Sequence, residues 1–121
     1  MTRMLLVALA LAPAALFAQS PSFDGQWDVH ATIGGTVTDM SCTFTQKDAE
    51  LSGTCGTEQE PHALTGKVDG KTITWQFNTQ WEGQTLTVIY TGALESAEKL
   101  KGTVDVQPLS VSGDFSATRG K

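Results

Sequence analysis

The sequence is short of positive charge. Lysine and arginine number 8 against 13 aspartate and glutamate residues, which gives a formal net charge of −5 at pH 7. The basic residues are scattered along the chain and form no cluster. Nucleic acids and anionic membrane surfaces are bound through concentrated positive charge. The composition therefore argues against nucleic acid as a partner and against attachment to an anionic membrane surface.

Long apolar runs are missing except at the N-terminus. Residues 4–17 are uninterruptedly apolar, Arg3 precedes them, and the small Ala18 is followed by polar residues. A helix that spans a bilayer needs about 20 apolar residues, so this run is too short. The pattern is typical of a secretory signal. We predict a signal peptide over residues 1–18, a single domain over residues 19–121 and a periplasmic or secreted location; an N-terminal membrane anchor is the alternative.

Residues that carry catalysis or bind metals are few. Two cysteines without a nearby histidine cannot form a zinc site, and the sequence has no Cys-x-x-Cys motif. His30 and His62 belong to no nucleophile or metal motif, and we expect both at the surface. The carboxylates show no spacing typical of a glycosidase pair. We predict a protein that is not an enzyme, with no cofactor and no metal.

Runs of helical period are absent from residues 19–121, and short alternating runs take their place. Thr, Val, Ile and aromatic residues alternate with polar ones, and turn residues recur every ten or so positions. Glycine pairs such as Gly34-Gly35 are typical of two-residue hairpin turns. The predicted strands are Phe23–Ile33, Thr36–Gln46, Glu50–Gly56, His62–Asp69, Lys71–Thr79, Gln84–Leu94, Lys99–Gln107 and Val111–Arg119.

A pattern of apolar-x-Gly-x-apolar recurs six times in these strands. Its glycines are Gly25, Gly53, Gly66, Gly92, Gly102 and Gly113. Since side chains alternate along a strand, the glycine and both apolar residues share one face. An inward glycine in mid-strand indicates tight bending, which a small barrel needs in order to close. We therefore predict an all-β fold, an eight-stranded antiparallel up-and-down barrel, with a sandwich as the alternative.

The predicted hairpins bring the two cysteines together. A turn at Gly34-Gly35 places Trp27 opposite Cys42, and the next loop places Cys42 opposite Cys55. Directly opposed residues on antiparallel strands are close enough for a disulfide. We predict a Cys42–Cys55 bridge, with two buried thiols as the alternative.

Two later hairpins are predicted from their turn residues. A turn at Asp69-Gly70 pairs Leu64 with Trp75, and a turn at Trp81-Glu82 pairs Phe77 with Leu86. Both registers keep apolar residues on a shared face.

Gly25-x-Trp27 on the first strand, together with Arg119 at the end of the last, resembles the calycin superfamily of lipocalins, fatty-acid-binding proteins and avidins. The resemblance implies that Trp27 packs against Arg119 and closes one end of the barrel. Leu51-Ser52-Gly53-Thr54 is similar to an avidin strand. Asp28–Gly35, however, lacks the polar residues with which avidins hold biotin, so biotin is not expected as the ligand.

The other end of such a barrel is a mouth formed by alternate loops, and Trp81 lies in one of them. An apolar pocket below polar rim groups is the usual small-molecule site. We predict an exported binding module for a small apolar or amphipathic molecule; the alternative is a protein-interaction or enzyme-inhibitor domain with a filled barrel. The predicted ligand contacts are Met40, His62, Trp75, Phe77, Trp81 and Val88.

Overall fold

The computed structural model describes residues 22–120, which form eight strands joined by short turns. The predicted signal peptide lies outside the described residues. Within residues 22–120 there is no helix long and apolar enough to cross a membrane. The strands are β1 (Gly25–Ile33), β2 (Thr36–Lys47), β3 (Glu50–Gly56), β4 (Pro61–Asp69), β5 (Thr72–Trp81), β6 (Gln84–Ser96), β7 (Lys99–Gln107) and β8 (Val111–Arg119).

The strands close into one antiparallel barrel in sequence order. Each strand pairs with its neighbours in the chain, and β1 also pairs with β8. The predicted all-β up-and-down barrel is therefore confirmed. Closure leaves no strand edge unpaired, which removes the unsatisfied backbone groups of an open sheet.

The first two hairpins have the predicted registers. Trp27 lies opposite Cys42, and Cys42 lies opposite Cys55. Gly34 and Gly35 both have positive φ, 57° and 86°, as a two-residue turn between twisted strands requires. A disulfide joins Cys42 to Cys55, with 4.0 Å between their Cα atoms. The predicted bridge is confirmed, and it is compatible with an oxidising compartment.

The predicted registers of two later hairpins are wrong by two residues. Leu64 pairs with Phe77 instead of Trp75. Phe77 in turn pairs with Val88 instead of Leu86. The physical reason is the position of each turn: glycine occupies the first turn position at Gly70-Lys71 and the second at Glu82-Gly83. A two-residue shift leaves every side chain on its own face, so the apolar interior is unchanged.

The core is a continuous apolar cluster inside the barrel. Its largest fully buried side chains include Trp27, Trp75, Tyr90, Phe23 and Phe44. Five of the six glycines of the repeated pattern, all except Gly25, let the backbone of the paired strand approach closely. At Gly102, which pairs directly with Gly92, an added Cβ would stand 2.0 Å from the carbonyl oxygen of Thr91. Glycine is needed there because the strands pack backbone to backbone.

Candidate functional site

The two ends of the barrel differ, and one of them is sealed. We call it the closed end: the side of the β2–β3, β4–β5 and β6–β7 turns and of both ends of the described chain. The Arg119 guanidinium lies 4.5 Å from the centre of the Trp27 ring. It also donates to the backbone oxygens of Asp24, at 3.0 Å, and Ala97, at 2.9 Å, and to that of Ser22. The structure thus brings the predicted closing pair together, as the resemblance implies.

Phe23 and Asp24, which precede β1, cover the closed end of the barrel. Phe23 is completely buried, and its carbonyl oxygen accepts a hydrogen bond of 3.0 Å from the Trp27 indole. The Phe23 N–H donates to the Gln46 side chain at 2.9 Å, and the Gln46 N–H donates to the Asp24 carboxylate at 2.6 Å. Among residues 22–120, these contacts bury Phe23 and pair the polar groups beside it, so they cover this end of the barrel.

The middle of the barrel is filled by aromatic rings. Trp75 stacks on Tyr90 with 4.8 Å between ring centres, and both rings contact Phe115 edge-on at 5.3 and 5.2 Å. Phe44 meets Trp75 edge-on at 5.0 Å. Such contacts are at the close end of aromatic packing. Trp75, a predicted ligand contact, is therefore completely buried in a packed layer, and its indole N–H has no hydrogen-bond partner.

Burial in this layer raises the pKa of Tyr90 from 10.0 to about 12. Above pH 10 the unfolded chain loses this phenolic proton while the folded barrel keeps it, so folding is penalised as pH rises. We expect the free energy of unfolding to fall by up to roughly 2 to 3 kcal/mol between pH 10 and 12. Urea unfolding across this range measures the loss, and Tyr90→Phe should lack this part of it.

The same pKa can be read directly, because Tyr90 is the one tyrosine of the chain. Tyrosinate absorbance of the folded protein should develop with a midpoint near 12. A midpoint near 10 would contradict the burial of this hydroxyl.

Above the aromatic layer, toward the other end of the barrel, the inward-facing side chains are less completely buried, and we call this region the cup. Phe77 and Val88 pair across β5 and β6 and form its floor. His62 stacks on Phe77 with 5.2 Å between ring centres and is half-buried. Met40 is also half-buried, while Thr38 shares the inward face with Ala31 and is exposed. His62, which we expected at the surface, is instead half-buried, because it lies within β4 opposite Cys55 and turns inward.

Three exposed apolar side chains lie at this end of the barrel, and one of them, Val37, faces outward from β2. They are the exposed large apolar side chains of residues 22–120: Val37 at 56%, Trp81 at 50% and Leu109 at 38% exposure. All three lie on one side of the barrel, beside the β1–β2, β5–β6 and β7–β8 turns. We call this side, which also carries the β3–β4 loop, the open end. The sequence pointed to Trp81 alone, although Val37, an apolar residue at an outward position, was a detectable signal.

The outer wall of the barrel carries shallow grooves. Within residues 22–120, the ionisable side chains in these grooves form no catalytic or metal-binding group. One groove of about 530 Å³ runs over β8, β1 and β2 and contains Asp28, His30 and Asp39. His30 Nδ1 and Asp39 Oδ1 are 2.6 Å apart, and both side chains are more than half exposed. Ser116 is the β8 register partner of His30, but the side-chain hydrogen bond of His30 goes to Asp39 and not to the Ser116 hydroxyl. Among residues 22–120, no three His, Cys, Asp or Glu side chains are grouped so as to hold a metal ion.

Comparison with known proteins supports the fold alone. No protein family matches the sequence. No curated protein matches it either. A solved structure described as a redesigned beta barrel is similar, with a TM-score of 0.65 and 18% identity over 81% of this chain and 91% of that chain. This neighbour is an engineered barrel, so the likeness extends to the eight-stranded architecture and names no calycin or lipocalin family.

Proposed function

We propose that this protein is an exported, non-catalytic, calycin-like interaction module that binds a protein or peptide partner at the open end of its barrel. One observation carries the proposal: the exposed large apolar side chains of the described residues, Val37, Trp81 and Leu109, all belong to that end, at separate points around the barrel. Exposed apolar groups that are confined to one end are more informative than ones spread over the whole surface, which are ordinary.

The packed interior favours a surface partner over an enclosed one. An eight-stranded barrel encloses just enough space for side chains or for one small ligand. Here the interior of the barrel, from Trp27 at the closed end to Trp75 in the aromatic layer, is occupied by buried side chains. Trp81 is half exposed on the rim, and tryptophan is the residue most often responsible for binding energy at protein interfaces.

A second candidate is the binding of a small apolar or amphipathic molecule in the cup. The half-buried Met40 and His62, above the floor of Phe77 and Val88, support it. Trp75 lies below that floor and would contact such a ligand only if Phe77 moved. If the cup binds small molecules, the protein should take up an uncharged apolar fluorophore. Binding of a protein or peptide partner does not require such uptake.

Trp81→Ala should weaken partner binding by roughly tenfold or more, as truncation of a central aromatic contact does. The probe is a labelled helical peptide with one leucine face and one glutamine face, and the measurement is fluorescence anisotropy. Trp81→Phe should restore most of the affinity, because an aromatic ring returns to the rim.

Lys71→Ala is the matched control, because Lys71 is exposed in a turn at the closed end. It should leave binding unchanged. In the unaltered protein, the peptide should protect tryptophan fluorescence from acrylamide, since Trp27 and Trp75 are already buried and Trp81 is accessible. Equal binding by the Trp81→Ala variant, or quenching that the peptide does not change, would refute a site at the open end.

A further inference from the structure

Charge is distributed unequally between the two ends of the barrel. In the half of each strand nearer the open end, and in the turns there, the described residues include six carboxylates and no lysine or arginine. The carboxylates are Asp39, Glu58, Glu60, Glu82, Asp105 and Asp114. With histidine counted as neutral, the open half has a formal charge of −6.

The closed half is nearly neutral by comparison. It holds all six lysine and arginine residues of the described chain against seven carboxylates. Some of these charges form pairs: Lys67 Nζ lies 3.4 Å from Glu50 Oε2, and Lys101 Nζ lies 3.8 Å from Glu95 Oε2. In the open half, by contrast, the one described ion pair is between Asp39 and His30, which carries a charge only when protonated.

From this asymmetry we propose that the partner bound at the open end is a basic amphipathic segment of a protein, in which lysine or arginine residues surround an apolar patch. The inference rests on the proposed function and adds the charge of the partner to it. Its apolar patch would contact Trp81 and Leu109, and its cations would face the carboxylates of the open half. Opposite potentials across an interface speed encounter and exclude partners of the wrong sign.

The spread of the carboxylates favours a protein segment over a small cation. Glu58 and Glu60 lie in the β3–β4 loop, and Glu82 lies in the β5–β6 turn. Asp105 and Asp114 lie on the neighbouring strands β7 and β8. A small molecule in the cup would reach one or two of these groups. A segment with several cations can engage groups on different sides of the rim at once.

The test compares three peptides of equal length with the same leucine face. Their polar faces consist of lysine, glutamine or glutamate. We expect the lysine peptide to bind at least tenfold more tightly than the glutamine peptide at low ionic strength, and the glutamate peptide to bind more weakly than both. The advantage of the lysine peptide should shrink as salt is added, because exposed charges are screened.

A pair of triple variants separates the open end from the overall negative charge of the protein. Glu58→Gln, Glu60→Gln and Glu82→Gln together remove three charges from open-end loops. Asp48→Asn, Asp69→Asn and Glu98→Gln together remove three from the closed end and form the matched control. Each set should leave the barrel folded, because all six side chains are exposed.

The open-end variant should bind the lysine peptide about tenfold more weakly, as the loss of three rim charges of modest individual worth implies. The control should change binding less than twofold. Equal effects of the two variants would overturn the proposal, since they would indicate unspecific attraction. Equal binding of the lysine and glutamine peptides would also overturn it while leaving the proposed function intact. If no peptide binds, both fail.

Discussion

Replacing Gly102 with alanine should destabilise the barrel more than any surface substitution. An added Cβ would stand 2.0 Å from the Thr91 carbonyl oxygen and 2.5 Å from the Gly92 Cα. Both are backbone atoms of a paired strand, so no side-chain rotation relieves the clash and β6 and β7 must separate. Overpacking in a close-packed interior costs about 1 to 3 kcal/mol, and we expect the upper part of that range. For a domain of this size this corresponds to a Tm lower by about 12 °C or more.

Thermal unfolding followed by circular dichroism measures this loss. Thr103→Ala is the control, because Thr103 is the exposed neighbour of Gly102 on the same strand. It should lower the Tm by a few degrees at most. A Gly102→Ala variant within about 4 °C of the unaltered protein would contradict the close backbone approach, since that change is about 1 kcal/mol or less.

Removal of the disulfide is the second change with a large expected effect. Cys42 and Cys55 are 13 residues apart and join β2 to β3. Closing a loop of this length in the unfolded chain stabilises the fold by about 3 kcal/mol in the chain-entropy account. We expect the double variant Cys42→Ala/Cys55→Ala to remain a folded barrel with a free energy of unfolding lower by about that amount. Urea unfolding measures it.

A reducing agent supplies the internal control for this experiment. It should lower the stability of the unaltered protein toward that of the double variant and leave the double variant unchanged. Equal stability of the two proteins under oxidising conditions would show that the bridge contributes nothing. A mass increase of two hydrogen atoms on reduction checks that the bridge was formed.

Local sequence signals were sufficient for most of the fold. Gly34-Gly35 can adopt the positive φ of a tight turn at both positions, so β1 and β2 had one sensible register. That register placed Cys42 on the inner face, and the short polar loop after it placed Cys55 opposite. The repeated glycines also indicated that the sheet closes into a barrel, because an inward glycine such as Gly102 is useful only where strands bend closely over one another.

The β4–β5 turn was harder to predict because its residues allow two alternatives. Asp69-Gly70 and Gly70-Lys71 both contain a glycine that can take positive φ, and both keep the apolar residues inside. Alternation along a strand cannot distinguish them, since a shift of two residues restores the same pattern. The choice depends on how the whole barrel closes, which is not a local property.

The candidate site was predicted only in part for a similar reason. Trp81 stood out because an aromatic residue in a turn has no obvious place in the core. Leu109, next to Pro108, carried no distinguishing signal in the sequence, and it matters here because it lies exposed at the same end as Trp81. His62 appeared to be a surface residue, although its pairing with Cys55 directs it onto Phe77. The excess of negative charge at the open end became visible only when the structure showed which turns and strand halves lie at that end.

The pairing of β1 with β8 also fixes where the protein can be attached to something else. Arg119 donates to the Ser22 backbone, and the Gly120 N–H donates to the Gln26 carbonyl oxygen at 2.8 Å. The two ends of the described chain thus leave the barrel side by side, on the side away from Trp81. A linker or an affinity tag joined next to Ser22 or Gly120 would begin at the closed end, so the barrel can be immobilised there with Trp81 left exposed.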